Sequence, residues 1–241
     1  MTQGTPTQAY GEPSYWDNRY AQDTGPFDWY QKYPSLAPLL HMYVRRDHRI
    51  LVVGCGNAVF SEGMVDDGFR DVVNIDISSV VIEAMQKKYQ DRPELKYIKM
   101  DVRDMGDFES GYFDAVIDKG TLDSLMCGHN SQQNATKMLE EVGRVLKNKG
   151  VYILITYGAP VYRLHLLRGL CLWTIKLHVI EKLEAERSTE HKKWELTNPV
   201  SLDEGSSSVD TALRDNPEIH YIYVCTKAES VRPEVNHETN L

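Results

Sequence analysis

The chain has 241 residues, of which 41% are hydrophobic and 26% charged, proportions that exclude a fibrous or wholly disordered polymer and suit one domain with a sizeable core. A formal net charge of -8 and an isoelectric point near 5.5 disfavour a nucleic-acid binder that works by neutralising many phosphates, and favour a basic partner instead. Cys55, Cys127, Cys171 and Cys225 form no CxxC pair and no zinc-ligand spacing, so no metal site is expected and they read as reduced thiols of a cytoplasmic protein.

Residues 1–13 are polar and rich in Thr, Gln, Gly and Pro, without a basic-then-apolar or Arg-rich leader, and read as a flexible tail. The domain is expected over 14–227, opened by an aromatic cap at 14–48. From Arg49 onward, short β-branched runs alternate with helically spaced segments, the pattern of βαβ units and a mostly parallel sheet. The first strand, Ile50–Val53, runs into the turn Gly54-Cys55-Gly56-Asn57 and a helix through Met64 that stops near Gly68. A second strand, Val72–Ile75, closes on Asp76. Ser78 or Ser79 caps the next helix, which carries Val81, Ala84 and Met85 inward and has ended by Pro93. The third strand, Lys96–Met100, closes on Asp101. The fourth, Phe113–Ile117, leads into a loop, and then Met138, Val142, Val145 and Leu146 share one face of a helix over 132–146.

A fifth strand spans Val151–Thr156. Beyond it come a helical stretch near Tyr162–Leu172, a strand near Leu177–Leu183 and a last strand, His220–Thr226, so that an open parallel sheet is finished by a strand pair. The polar stretch 184–216, with Gly205-Ser206-Ser207-Ser208, reads as a long exposed loop, and 228–241 as a second flexible tail. The longest apolar run, Leu164–Ile180, is broken by His165, Arg168, Lys176 and His178; it reads as a core helix entering a strand, and no membrane partner is expected.

A strand, glycine turn and helix in succession gather backbone N–H groups at one point and attract polar or anionic ligand groups. A dinucleotide fingerprint would need glycine at position 59, where Val59 obstructs close helix approach, and no P-loop motif occurs. The run Ile50-Leu51-Val52-Val53-Gly54-Cys55-Gly56-Asn57-Ala58, with Asp76 and Asp101 at the two following strand ends, resembles the class I (seven-strand) S-adenosylmethionine-dependent methyltransferases. That resemblance implies an α/β, Rossmann-like seven-strand sheet, mostly parallel with a terminal antiparallel strand and helices on both faces. Its cofactor would be S-adenosylmethionine, with S-adenosylhomocysteine as product. The Asp76 carboxylate suits the ribose hydroxyls, and Asp101 with the backbone of Val102 suits the adenine edge. Where many of these enzymes carry an acid two positions before the first glycine, this chain has Val52.

A narrower likeness lies in Tyr15-Trp16-Asp17-Asn18-Arg19-Tyr20, Pro26-Phe27-Asp28-Trp29-Tyr30, Asp76-Ile77-Ser78-Ser79 and Asp118-Lys119-Gly120-Thr121-Leu122-Asp123. These are similar to the eukaryotic methyltransferase-like group that includes the elongation factor 1-alpha lysine methyltransferases, over roughly residues 15 to 156. The likeness implies that Trp16, Tyr20 and Trp29 fold over the cofactor and that Gly54, Gly56 and Asn57 approach it. It also implies that Asp76, Ile77, Asp101 and Val102 hold the adenosine, and that Lys119 reaches it from the end of the fourth strand. A sulfonium is attracted to aromatic faces. A lysine beside it is unfavourable unless directed at the methionine carboxylate or paired with an acid such as Asp118 or Asp123.

Methyl transfer is an in-line displacement that needs alignment and desolvation rather than a covalent nucleophile. Asp118 and Asp123 are candidates for orienting a lysine ammonium before it loses its proton. The Asn/Asp-Pro-Pro-aromatic motif of many amino methyltransferases is absent from 118–123, which disfavours planar nitrogens as acceptors. The lead expectation is methylation of lysine in a basic protein, such as elongation factor 1-alpha. A small-molecule methyltransferase with a lid over 157–173, and a non-catalytic cofactor-binding module, are the alternatives.

Overall fold

The computed structural model describes residues 7–170, 173–182, 194–202 and 218–229. Its seven strands are β1 Arg49–Val53, β2 Asp71–Asp76, β3 Leu95–Lys99, β4 Phe113–Lys119, β5 Leu146–Thr156, β6 Trp173–Glu181 and β7 Ile219–Lys227. They form one sheet in the order β3-β2-β1-β4-β5-β7-β6. All pairings from β3 to β5 are parallel, and β7 runs antiparallel to both β5 and β6. The winding reverses between β1 and β4, so the carboxyl ends of these strands open a crevice where α/β sheets take ligands.

Both faces of the sheet are covered. Along β1, Ile50 and Val52 pack into one core with Leu36, Leu40, Phe60, Met64 and Met85. Leu51 and Val53 pack into the other, with Leu122, Met138, Leu139 and Val142. Two-sided burial is why these strands read as continuous apolar runs instead of alternating ones. The helices are α1 Pro13–Gln22, α2 Tyr33–Tyr43, α3 Phe60–Asp66, α4 Ser79–Lys88, α5 Thr121–Cys127, α6 Ser131–Val145 and α7 Pro160–Leu170. Ser78 caps α4 by accepting the Val81 N–H at 3.4 Å, and Gly68 takes a positive φ of 99° after α3, as its place beyond the helix requires.

Several details differ from the sequence reading. On α4 the inward residues are Val81, Ile82 and Met85, while Ala84 is exposed, because the buried stripe lies one position away from it. The segment after β4 is helix α5, about two turns long and too brief for a periodic signal. Among the described residues, regular structure begins with a 3-10 helix at Thr7–Gly11, inside the stretch that reads as a tail, and it packs against α5. Part of the stretch read as a free loop lies on β6: the Val200 N–H donates to Leu177 O at 2.7 Å, and His178 Nδ1 to Leu196 O at 2.7 Å. Residues 1–6, 230–241 and most of 184–216 lie outside the described residues, as does Leu183. Among the described residues no helix is long and apolar enough to cross a membrane.

Candidate active site

The turn after β1 is built from backbone. Gly54 and Gly56 have φ of +58° and +52°, a region side chains rarely enter. A Cβ on Gly54 would lie 2.0 Å from Thr121 Oγ1, and one on Gly56 2.6 Å from the Tyr20 hydroxyl. The Cys55 N–H donates to Ile75 O at 3.0 Å, fastening the turn to β2. At the end of β2, Asp76 accepts the Gly56 N–H at 2.9 Å and the Ser78 N–H at 3.0 Å. The residue is 6% exposed, and burial pushes the pKa of its carboxyl up to about 6 in spite of those donors. Beyond β3, Asp101 accepts the Arg103 N–H at 2.9 Å and the Arg103 guanidinium at 2.6 Å. Burial opposes ionisation there, but the Arg103 bonds outweigh it and hold Asp101 below the usual carboxylate range.

The facing wall is made of rings. On α1, Trp16 stacks with Tyr20 at 5.9 Å and meets Trp29 edge-on at 6.5 Å. Its Nε1–H donates to Tyr10 O at 2.9 Å, tying α1 to the 3-10 helix. Ser78 Oγ donates to Asp17 at 2.6 Å, tying α1 to the start of α4. Trp29 is presented by a reversal at Tyr30, whose φ of 63° is uncommon for a bulky residue. The Tyr30 hydroxyl donates to Asp123 at 2.7 Å, which fixes that reversal. Lys119, at the end of β4, donates from Nζ to Trp29 O at 2.9 Å and lies 3.2 Å from Asp28. That contact is an ion pair without hydrogen-bond alignment at Asp28 Oδ1. Burial pulls the Lys119 pKa down and the Asp28 charge resists. Of the two expectations for Lys119, direction at a carboxylate of the ligand or pairing with an acid such as Asp118 or Asp123, the structure shows an acid partner, and it is Asp28, from the loop that carries Trp29.

The two walls enclose a cleft of about 1090 Å³, its open mouth included, lined by Trp16, Tyr20, Trp29, Gly54, Gly56, Asn57, Asp76, Ile77, Asp101, Val102 and Lys119. Every residue read from the sequence as cofactor-binding is therefore on one surface. Tyr10, Arg19, Arg103 and Thr121 line it as well and escaped the sequence reading. Tyr10 fell in a segment taken for a tail; Asp28 could have been found from the rule that a buried lysine needs an acid.

Asp118 and Asp123 are not among the residues that line this cleft. Asp118 is wholly buried and accepts the N–H groups of Thr121 and Leu122 at 2.7 and 3.1 Å, and the Tyr152 hydroxyl at 2.9 Å. It is the buried acceptor at the start of α5. Burial, with the Asp123 charge nearby, pushes its pKa up to about 7. Asp123 is 3% exposed and receives Arg163 Nη2 at 2.7 Å, Thr156 Oγ1 at 2.5 Å and the Tyr30 hydroxyl. Asp118 braces the start of α5 from the strand before it, and Asp123, on α5 itself, is tied to Arg163 and Thr156.

Residues 51–154 match a family described as a methyltransferase domain. EEF1A lysine methyltransferase 4 of Mus musculus is 37% identical over 178 residues, 69% of this chain and 69% of that protein. The Bos taurus protein of that name is 41% identical over 164 residues, 64% of each chain. The eEF1A lysine and N-terminal methyltransferase of Bos taurus is 34% identical over 233 residues, 93% of this chain and 30% of its own length. The chain thus spans 64% and 30% of the lengths of the two bovine relatives. Among solved structures, a SAM-dependent methyltransferase from Methanosarcina mazei superposes with a TM-score of 0.57 at 17% identity, covering 85% of this chain and all (100%) of that one. A geranyl diphosphate C-methyltransferase from Streptomyces coelicolor, solved with S-adenosyl-L-homocysteine, gives 0.55 at 15% identity, covering 94% and 100%. At these identities the structural likeness concerns the fold.

Proposed function

The chain belongs to the class I S-adenosylmethionine-dependent methyltransferases, in the group that includes the eEF1A lysine methyltransferases, and on that premise we propose that it methylates a lysine side chain of a protein, translation elongation factor 1-alpha being the leading candidate. The likeness to the eEF1A lysine methyltransferases supports the acceptor, and the cofactor is supported by the meeting, on one cleft, of two strand-end carboxylates and a glycine turn with a wall of indole and phenol rings.

The donor set fits the cofactor. Asp76 is a desolvated acceptor anchored by two backbone donors, which suits the ribose hydroxyls, and Asp101 with the Val102 backbone on the same cleft suits the adenine edge. Trp16, Tyr20 and Trp29 offer aromatic faces suited to a sulfonium and exclude water from it. Because Lys119 is neutralised by Asp28, that lysine adds no net positive charge beside such a cation. Bound S-adenosylmethionine supplies an activated methyl group. The chain's own residues align the acceptor amine and keep water out. With Asp118 and Asp123 occupied by α5 and Arg163, the acceptor's proton leaves to solvent.

The test is to incubate the purified chain with isotopically methyl-labelled S-adenosylmethionine and recombinant elongation factor 1-alpha, and to map labelled residues by mass spectrometry. Label on lysine is the expected result. Tight cofactor binding with no lysine labelled, in this substrate or in a whole lysate, would end the lysine reading and leave the cofactor site standing.

A further inference from the structure

Five charged side chains line the cleft: Arg19, Asp76, Asp101, Arg103 and Lys119. The partners of four are settled within the fold. Asp76 takes two backbone N–H groups, Asp101 and Arg103 hold each other, and Lys119 is matched by Asp28. Arg19 alone has no acid: among the described residues its guanidinium makes no ion pair, and it lies over the faces of Phe27 at 5.3 Å and Trp29 at 5.8 Å. The side chain is half-buried on α1, next in sequence to Tyr20, whose hydroxyl sits against Gly56. Two rings hold a cation at the wall of a cleft while its N–H fork is left without an anion.

Position narrows which anion that is. The acids for ribose and adenine are at the ends of β2 and β3, whereas Trp29, under the guanidinium, is bonded to Lys119 at the end of β4. Arg19 therefore lies over the ring whose backbone Lys119 fastens to the end of β4, and it makes no ion pair with Asp76 or Asp101. Val52 removes the acid that could hold the amino-acid ammonium two residues before Gly54, so recognition of that end falls more heavily on its carboxylate. A guanidinium braced by rings presents parallel donors that match a carboxylate.

We infer that Arg19 is the residue that binds the α-carboxylate of the cofactor's methionine moiety, its fork held in place by Phe27 and Trp29. This rests on the assignment of the cleft to S-adenosylmethionine. It divides the labour on the aromatic wall: Lys119 and Asp28 hold the Trp29 loop closed, and Arg19 supplies the charge.

Binding of two probes by calorimetry separates the possibilities. S-Adenosylhomocysteine carries the carboxylate; 5′-methylthioadenosine shares the adenosine and sulfur but lacks it. Arg19→Met keeps the apolar stem against the rings and removes the fork. It is expected to weaken S-adenosylhomocysteine about ten- to a hundredfold and to leave 5′-methylthioadenosine within about twofold. Arg19→Lys, which retains charge without the fork, should fall between. Equal losses for both probes would overturn the inference by making Arg19 a packing residue, and unchanged binding of both would overturn it directly. If the unaltered chain binds neither probe, it is the cofactor assignment that falls. Retained 5′-methylthioadenosine binding also shows that each variant is folded.

Discussion

The strand-end wall of the cleft and the aromatic wall opposite are made from different materials. In the first, the ligand-facing groups are backbone or are bonded to backbone: the Gly56 and Ser78 N–H groups hold Asp76, and the Ile75 carbonyl holds the turn. Nothing there moves without disturbing the sheet. In the second, α1, the 3-10 helix and the Trp29 loop are held by ring packing and a few side-chain bonds, Asp17 to Ser78, Lys119 to Asp28 and Tyr30 to Asp123. The comparison teaches that the strand-end half of the cleft is part of the fold, while the aromatic half is a cap laid over it. Damage to the first should cost stability and binding together, and damage to the second should cost binding more.

The largest effect is expected from Gly54→Val. The positive φ costs a side chain about 1–2 kcal/mol, and the new Cβ would lie 2.0 Å from Thr121 Oγ1, which itself donates to Val53 O at 2.9 Å. Cofactor affinity should fall by more than about a hundredfold and Tm by about 5 °C or more. Calorimetry showing near-normal affinity would mean that the turn is not rigid. Next, Asp76→Ala strips a buried acceptor and should cost on the order of 1–3 kcal/mol in binding. Unlike Arg19→Met, it should weaken S-adenosylhomocysteine and 5′-methylthioadenosine alike. A difference between the two probes would move Asp76 away from the ribose.

The cap is addressed by Trp16→Ala. This ring touches Tyr10, Tyr15, Tyr20 and Trp29, and its Nε1–H holds the 3-10 helix. Losing ring contacts worth about 0.5–1.5 kcal/mol each should lower cofactor affinity roughly tenfold. It should also open residues near Tyr10 to proteolysis while the sheet's hydrogen-exchange protection is unchanged. A fall in Tm as large as that of Gly54→Val would show the cap to be integral to the core after all.

The same contrast explains what was legible beforehand. Asp76 and Asp101 close short strands in a regular strand–helix alternation, so pattern exposed the sheet, and the likeness to the class I methyltransferases marked which strand ends form half of the cleft. The cap has no period. Its chemistry depends on contacts between residues far apart in sequence, such as Asp28 with Lys119 and Tyr30 with Asp123. The aromatics were visible through family likeness, but the partner of Lys119 was not. Asp118 and Asp123 are harder to place, because a carboxylate at the end of β4 or in the short helix after it reads the same in sequence whether it faces the cleft or is bonded within the fold. Only α5, too short to show a pattern, decides between them.

The smallest effect concerns pH, and it tests whether Asp76 serves the ligand or the fold. Burial raises its pKa to about 6 in the folded chain, above the ordinary value near 3.9 that applies when unfolded. The stability it contributes is therefore fully present below about pH 4 and is lost as pH rises through about 6. Binding runs the other way, because ribose hydroxyls need the ionised acceptor. Affinity for S-adenosylhomocysteine should be halved near pH 6 and reduced about tenfold near pH 5, following the ionised fraction. Asp118, raised to about 7, adds a stability loss of the same sign at slightly higher pH, so stability alone does not isolate Asp76. Asp76→Asn does. Its binding should be weaker throughout and flat across this range, and a variant that kept the slope would place the titrating group elsewhere in the cleft.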